Sequence, residues 1–197
     1  MASLEEIANQ LESLEPDSLT ELAGFIEDLR WKLGPSPAQA SGRSWKFDFV
    51  EHFRRAAVSA EHDPAGMEVR VGEAVCDGES RMALWQHPPV QGSAMVEYQV
   101  PVPANVQEMC LQFATGIRDG SELAEGNVVA FRVFVNGWRI WSDTQDARSW
   151  RPHQVMMPTL PGDMARIQLV TDGLGNHQWA WAVWGEPRLL GDVVGQG

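Results

Sequence analysis

Six of the nine tryptophans of this 197-residue chain lie between Trp138 and Trp184, and the run closes in Trp179-Ala-Trp181-Ala-Val-Trp184-Gly-Glu-Pro-Arg. At a period of two, Trp179, Trp181 and Val183 fall on one side, and Ala180, Ala182 and Trp184 on the other. A strand with bulk on both sides needs cover on both sides. That requirement points to a sheet inside a sandwich, with one aromatic face that serves either as core or as a binding surface.

The composition narrows the partners. Fifteen basic against 27 acidic residues leave a formal charge of -12, and only 21% of residues are charged. The chain is therefore a folding sequence rather than a disordered tail, without the basic footprint that nucleic acid or an anionic membrane surface requires. Met-Ala-Ser-Leu-Glu-Glu has neither a basic n-region nor an apolar h-region, and no stretch has the apolar length of a membrane-spanning helix. A cytoplasmic location is the expectation. Cys76 and Cys110 then read as small buried apolar residues rather than a disulfide.

Residues 1–33 read as a helical hairpin. Ser3 with Glu6 is a capping box ahead of Leu4, Ile7, Ala8, Leu11 and Leu14; Ser18 with Glu21 opens a second helix whose Leu19, Leu22, Ile26, Leu29 and Leu33 step by three and four. Helices shorter than roughly 12–15 residues are marginal alone in water, so these apolar stripes need a partner surface. Leu19, Leu22, Ile26 and Leu29 are the expected oligomerisation residues, giving a homo-oligomer or docking a protein partner. Eight acids (Glu5, Glu6, Glu12, Glu15, Asp17, Glu21, Glu27, Asp28) against Arg30 and Lys32 make the other face acidic. The stretch from Leu14 to Lys32 resembles a small bacterial helical family found beside toxin–antitoxin genes, and that resemblance implies an oligomerising or partner-binding segment.

Gly34-Pro-Ser-Pro-Ala-Gln-Ala-Ser-Gly42 lies in a linker spanning 34–43, after which the period becomes two. Trp45, Phe47 and Phe49 alternate, and Met67–Val71, Arg81–Trp85, Ala94–Val100, Gln107–Phe113, Val128–Val135, His153–Met157 and Arg166–Val170 follow as short strands between Gly, Pro and Asp. The fold class expected is mainly β: an antiparallel β-sandwich or jelly roll over 44–190, preceded by the helical hairpin and followed by a flexible tail, 191–197.

Asn136-Gly137 between alternating apolar runs is the preferred sequence for a two-residue type I′ hairpin turn. Such a turn sets Val135 opposite Trp138, Val133 opposite Ile140, Phe134 opposite Arg139 and Arg132 opposite Trp141. Val133, Val135, Trp138 and Ile140 are then the expected core face. Arg132, Phe134, Arg139 and Trp141 form the other, a surface of stacked cations and aromatics suited to a protein interface or a sugar. These four are the candidate binding residues, with Trp150 and Trp179 placed near the same rim.

From Arg81 to Leu190 the chain resembles a bacterial β-sandwich of the galactose-binding-like type, akin to novel carbohydrate-binding modules. The matching pieces are Leu84-Trp-Gln-His-Pro-Pro89, Phe131 to Gly137 followed by Trp150, Val170-Thr-Asp172-Gly-Leu-Gly-Asn176, and Trp181-Ala-Val-Trp-Gly-Glu-Pro-Arg-Leu189. The resemblance implies the sandwich fold and a binding role. Where the family pattern has an acidic residue before the terminal Trp-Ala, this chain has Ala180, so no contact from that acid is expected. Asp172 and Asn176 read either as oxygen ligands for calcium or as Asx turns, and the turn is the simpler reading.

No catalytic constellation emerges. His52, His62, His87, His153 and His177 show no ligand spacing, the cysteines are too far apart for a zinc knuckle, and there is neither a nucleophile elbow nor a phosphate loop. No metal or cofactor is expected. The sequence reads as a non-catalytic interaction or assembly protein; the alternatives are a carbohydrate-binding module using exposed tryptophans and an antitoxin-like regulator.

Overall fold

The computed structural model describes residues 44–158 and 164–193. The expected helical hairpin and linker, with Leu19, Leu22, Ile26 and Leu29 and the toxin–antitoxin-like stretch, lie outside the described residues. What is described is an antiparallel β-sandwich. One sheet contains β1 (Ser44–Asp48), β3 (Glu68–Cys76), β4 (Glu79–His87), β6 (Val106–Ile117), β9 (Arg151–Met156) and β11 (Ala182–Val193). The other contains β2 (Ala57–Ala60), β5 (Ser93–Pro101), β7 (Val129–Val135), β8 (Trp138–Gln145) and β10 (Met164–Asp172).

The first sheet runs β3-β4-β11-β6-β9, and the second β2-β5-β10-β7-β8. β11 is long because one of its edges serves two partners: Val183–Gly185 pairs with β4 and Arg188–Asp192 with β1. A bulge separates these stretches, with Glu186 at φ 45. β11 continues through Val193, three residues into the stretch expected to be tail.

Alternation places the core as period two requires. Phe47, Leu84, Leu111, Phe113 and Trp184 from the first sheet meet Val96, Tyr98, Phe131, Val133, Ile167 and Leu169 from the second. Trp184 is fully buried against Phe113 and Phe131, each with ring centroids 5.2 Å away. The first sheet also buries a small patch on its outward face, where Ala74, Cys76, Ala83 and Val183 lie beneath Trp85 and Trp150. Trp150 rests on backbone: a Cβ built on Gly185 would stand 2.8 Å from its ring, and one on Gly116 3.0 Å. Cys76 and Cys110 are both buried thiols.

Two tight turns set the strand register. Asn136 and Gly137 take φ of 51 and 89, the type I′ turn read from the sequence. Asp77 and Gly78, at φ 52 and 74, make a second one between β3 and β4.

Candidate functional site

The β7–β8 hairpin departs from its expected register after two pairs. Val135 faces Trp138 and Phe134 faces Arg139, but a bulge follows, so that Val133 pairs with Trp141 and Arg132 with Ser142. The slip moves Trp141 from the arginine face to the core side. There its indole packs at 4.9 Å from Phe113 and 4.6 Å from His153, and burying that area outweighs the ladder bonds lost at the bulge. Trp138, expected in the core, is 79% exposed, because the hairpin tip carries it past the opposing sheet.

Arg132, Phe134, Arg139 and Trp141 are therefore not one surface. Arg132 is held by Asp172 at 3.0 Å, Phe134 is half-buried, Arg139 is exposed, and Trp141 has turned inward. Trp150 and Trp179 are also away from this hairpin: Trp150 covers the outward face of the first sheet and Trp179 stands beside Trp181. Asp172 and Asn176 close Asx turns, accepting from the amides of Leu174 and Gln178. Among the described residues no His, Cys, Asp and Glu group is placed to hold a metal ion.

The closest stacking of cations on an aromatic among the described residues is at Trp85 of β4. The Asp77-Gly78 turn puts Arg70 opposite Trp85 and Glu68 opposite His87. The Arg70 guanidinium carbon lies 3.2 Å from the Trp85 ring centroid and that of Arg118 3.4 Å. Two planar cations cannot share one ring face at that distance, so they occupy both faces. Trp85 is thus filled on both sides and serves to hold Arg118 in place. Burial and, secondarily, the neighbouring Arg70 charge depress the Arg118 pKa, while Glu68, bonded to Arg70 at 2.7 Å, opposes the shift.

Arg118 continues toward a two-indole rim, 5.0 Å from the Trp181 ring, and Trp181 lies 5.1 Å from Trp179. The rim loop is fixed at three successive carbonyls. Ser121 Oγ donates to Trp179 O at 2.6 Å, His87 Nδ1 to Ala180 O at 2.7 Å, and the Arg118 amide to Trp181 O at 3.0 Å. Trp179 sits at φ 60, and consecutive tight turns bring the Trp181 and Ala182 amides to the Trp179 and Ala180 carbonyls, both at 2.7 Å. Ala180 is buried and Trp179 38% exposed, but the strand begins only at Ala182, so the strand alternation read from the sequence does not extend back over Trp179 and Trp181.

Glu68, Trp85, His87, Arg118 and Trp181 line a recess of about 10 Å³, room for about one water. It is a shallow platform and cannot engulf a substrate. His87 stays neutral to lower pH than an ordinary histidine because burial disfavours its charge, against the pull of its bond to Ala180 O. Burial, reinforced by Asp119, raises the Cys76 thiol to about 12, which removes it as a nucleophile. Fixed hydrogen-bonding groups beside an exposed aromatic surface are equipment for binding.

No protein-family model and no curated protein matches the sequence. Among solved structures, a CBM51 of Clostridium perfringens GH95, in complex with methyl-galactose, has a TM-score of 0.49 and 11% identity over 74% of this chain and 99% of its own. The CBM51-2 and INT domains of Clostridium perfringens ZmpB give 0.48 and 13% over 70% of this chain, which spans 30% of that structure's length. A cyclase from Fischerella sp. gives 0.45 and 13% over 72% and 84%. Carbohydrate-binding modules are thus among the structures this sandwich is similar to.

Proposed function

We propose that this protein is a non-catalytic binding module that takes a carbohydrate on the Trp179–Trp181 rim, with Arg118, Glu68 and His87 contacting its hydroxyls. The observation that carries the proposal is the rim loop itself, whose three consecutive carbonyls are bonded to two parts of the sandwich, the Arg118–Ser121 turn after β6 and His87 at the end of β4. Sugars present an apolar C–H face and a ring of hydroxyls, so they need an indole beside planar donors and acceptors held in fixed positions. A preorganised rim lowers the ordering cost of binding a small, flexible, polar ligand. This reading displaces the self-associating one as the main function and is tested by titrating the full chain with methyl-galactoside, N-acetylglucosamine and soluble polysaccharides. A saturable quenching of indole fluorescence supports it; flat titrations across the set count against it.

Self-association is retained as a second proposal on one observation. Trp138 is 79% exposed at the start of β8, an edge strand of the second sheet among the described residues, and an exposed aromatic on an edge strand suits pairing with another copy. Light scattering on Trp138→Ser against the unaltered chain tests it, with a loss of oligomer expected.

A further inference from the structure

The charges around Trp85 do not balance. Arg70 and Arg118 occupy its two faces, and Glu68, which opposes the depression of the Arg118 pKa, is bonded to Arg70 at 2.7 Å. Asp119, the residue after Arg118, is committed elsewhere. Its two carboxylate oxygens accept from the amides of Asp77 and Gly78 at 2.9 and 3.0 Å, and those bonds hold its pKa below the ordinary carboxylate value. His87 is kept neutral by burial. Two guanidiniums against one carboxylate leave a positive charge in excess, in a chain whose formal charge is -12.

The excess charge sits on Arg118. Among the partly buried arginines, Arg81 is paired with Glu79 at 2.7 Å and Arg132 with Asp172 at 3.0 Å, whereas the Arg118 guanidinium bonds to no acceptor of a described residue. Its seating decides which acceptor it can take. At 3.4 Å from the Trp85 centroid the guanidinium lies flat on the ring, so its N–H groups point along the ring plane and not into it. A planar fork held by its face is preorganised for a planar acceptor with two oxygens. A sugar hydroxyl would accept one of these bonds and leave the charge uncompensated; a carboxylate accepts two and neutralises it. Trp181 stands 5.0 Å from the same guanidinium, so a sugar on the rim indoles brings its substituents within reach of Arg118.

We infer that the ligand of the rim is an acidic sugar, a hexuronate whose carboxylate accepts two bonds from Arg118. This rests on the reading of the rim as a sugar site and adds the class of sugar. The test is titration of the full chain, followed by indole fluorescence, with methyl galacturonoside and methyl glucuronoside, their carboxyl methyl esters, and the parent neutral glycosides. At least one acid should bind about tenfold more tightly than its ester and its neutral parent, through the charge-assisted pair. Concentrated salt should narrow that margin. Arg118→Gln should bring the acid down to the affinity of the ester, whereas Trp181→Ala should weaken acid and ester by the same factor. The ester thereby reports whether each variant is folded. Equal binding of acid and ester to the unaltered chain, a margin that persists in Arg118→Gln, or saturation by neutral sugars alone overturns the inference and leaves the rim reading standing. Silence from all of these sugars and from the neutral set above overturns both.

Discussion

His87 Nδ1 lies 2.7 Å from the carbonyl oxygen of Ala180, and because a carbonyl only accepts, the proton of the neutral imidazole sits on Nδ1. One bond thereby ties the end of β4 to the loop carrying Trp179 and Trp181 and leaves Nε2 as the acceptor. The folded state depresses the His87 pKa below its ordinary 6.5, chiefly through burial. Folding thus favours the neutral ring, and the unfolded chain binds the extra proton as pH falls from 6.5 toward the folded value. Stability from this group is complete above 6.5 and declines below it. The melting temperature should fall between pH 7.5 and 5.5, and His87→Asn, which keeps a donor but cannot titrate, should flatten that decline. An identical pH slope in the variant refutes the assignment.

Trp138 and Trp141 should separate cleanly on substitution. Trp141 packs on Phe113 and the core, so Trp141→Ala should cost about 3 kcal/mol. Trp138→Ala, at an exposed hairpin tip, should change stability by no more than about 0.5 kcal/mol. Urea denaturation of the two variants measures both. A larger cost at Trp138 than at Trp141 would restore the unslipped register.

The seating of Trp150 on glycine predicts a specific coupling. Gly185→Ala introduces a Cβ 2.8 Å from the indole and should cost about 1–3 kcal/mol. Gly185 has no positive φ, so the cost comes from the ring and not the backbone. In a Trp150→Ala background the same substitution should be nearly free, giving a large interaction energy in the double-mutant cycle. Additive costs would show that the glycine answers to something else.

Much of this architecture is legible in the sequence. Alternation along Trp45, Phe47 and Phe49 gives β1 its buried face, and Asn136-Gly137 gives the turn and its first two pairs. Counting back from Asp77-Gly78 by the same rule pairs Cys76 with Glu79 and so reaches Arg70 opposite Trp85, a relationship available from the residues alone though its turn is a weaker signal than the Asn-Gly hairpin. The bulge at Ile140 is not legible, because it depends on a tertiary preference for burying Trp141 rather than on any local residue. Nor is the approach of Arg118 to Trp85, which joins β6 to β4 across β11. Short β2 carries little signal: Ala57-Val-Ser-Ala60 is too small and unpatterned to announce a strand.

The proposed sugar site on the Trp179–Trp181 rim depends on its indole surface and on the Arg118 guanidinium. Its most direct test is calorimetric titration of the best-bound glycan from the set above into the full chain and into Trp181→Ala and Arg118→Gln. Loss of the stacking surface or of the adjacent guanidinium should each weaken binding about tenfold or more, with melting curves showing the sandwich intact. A glycan that binds both variants as tightly as the unaltered chain would contradict the account.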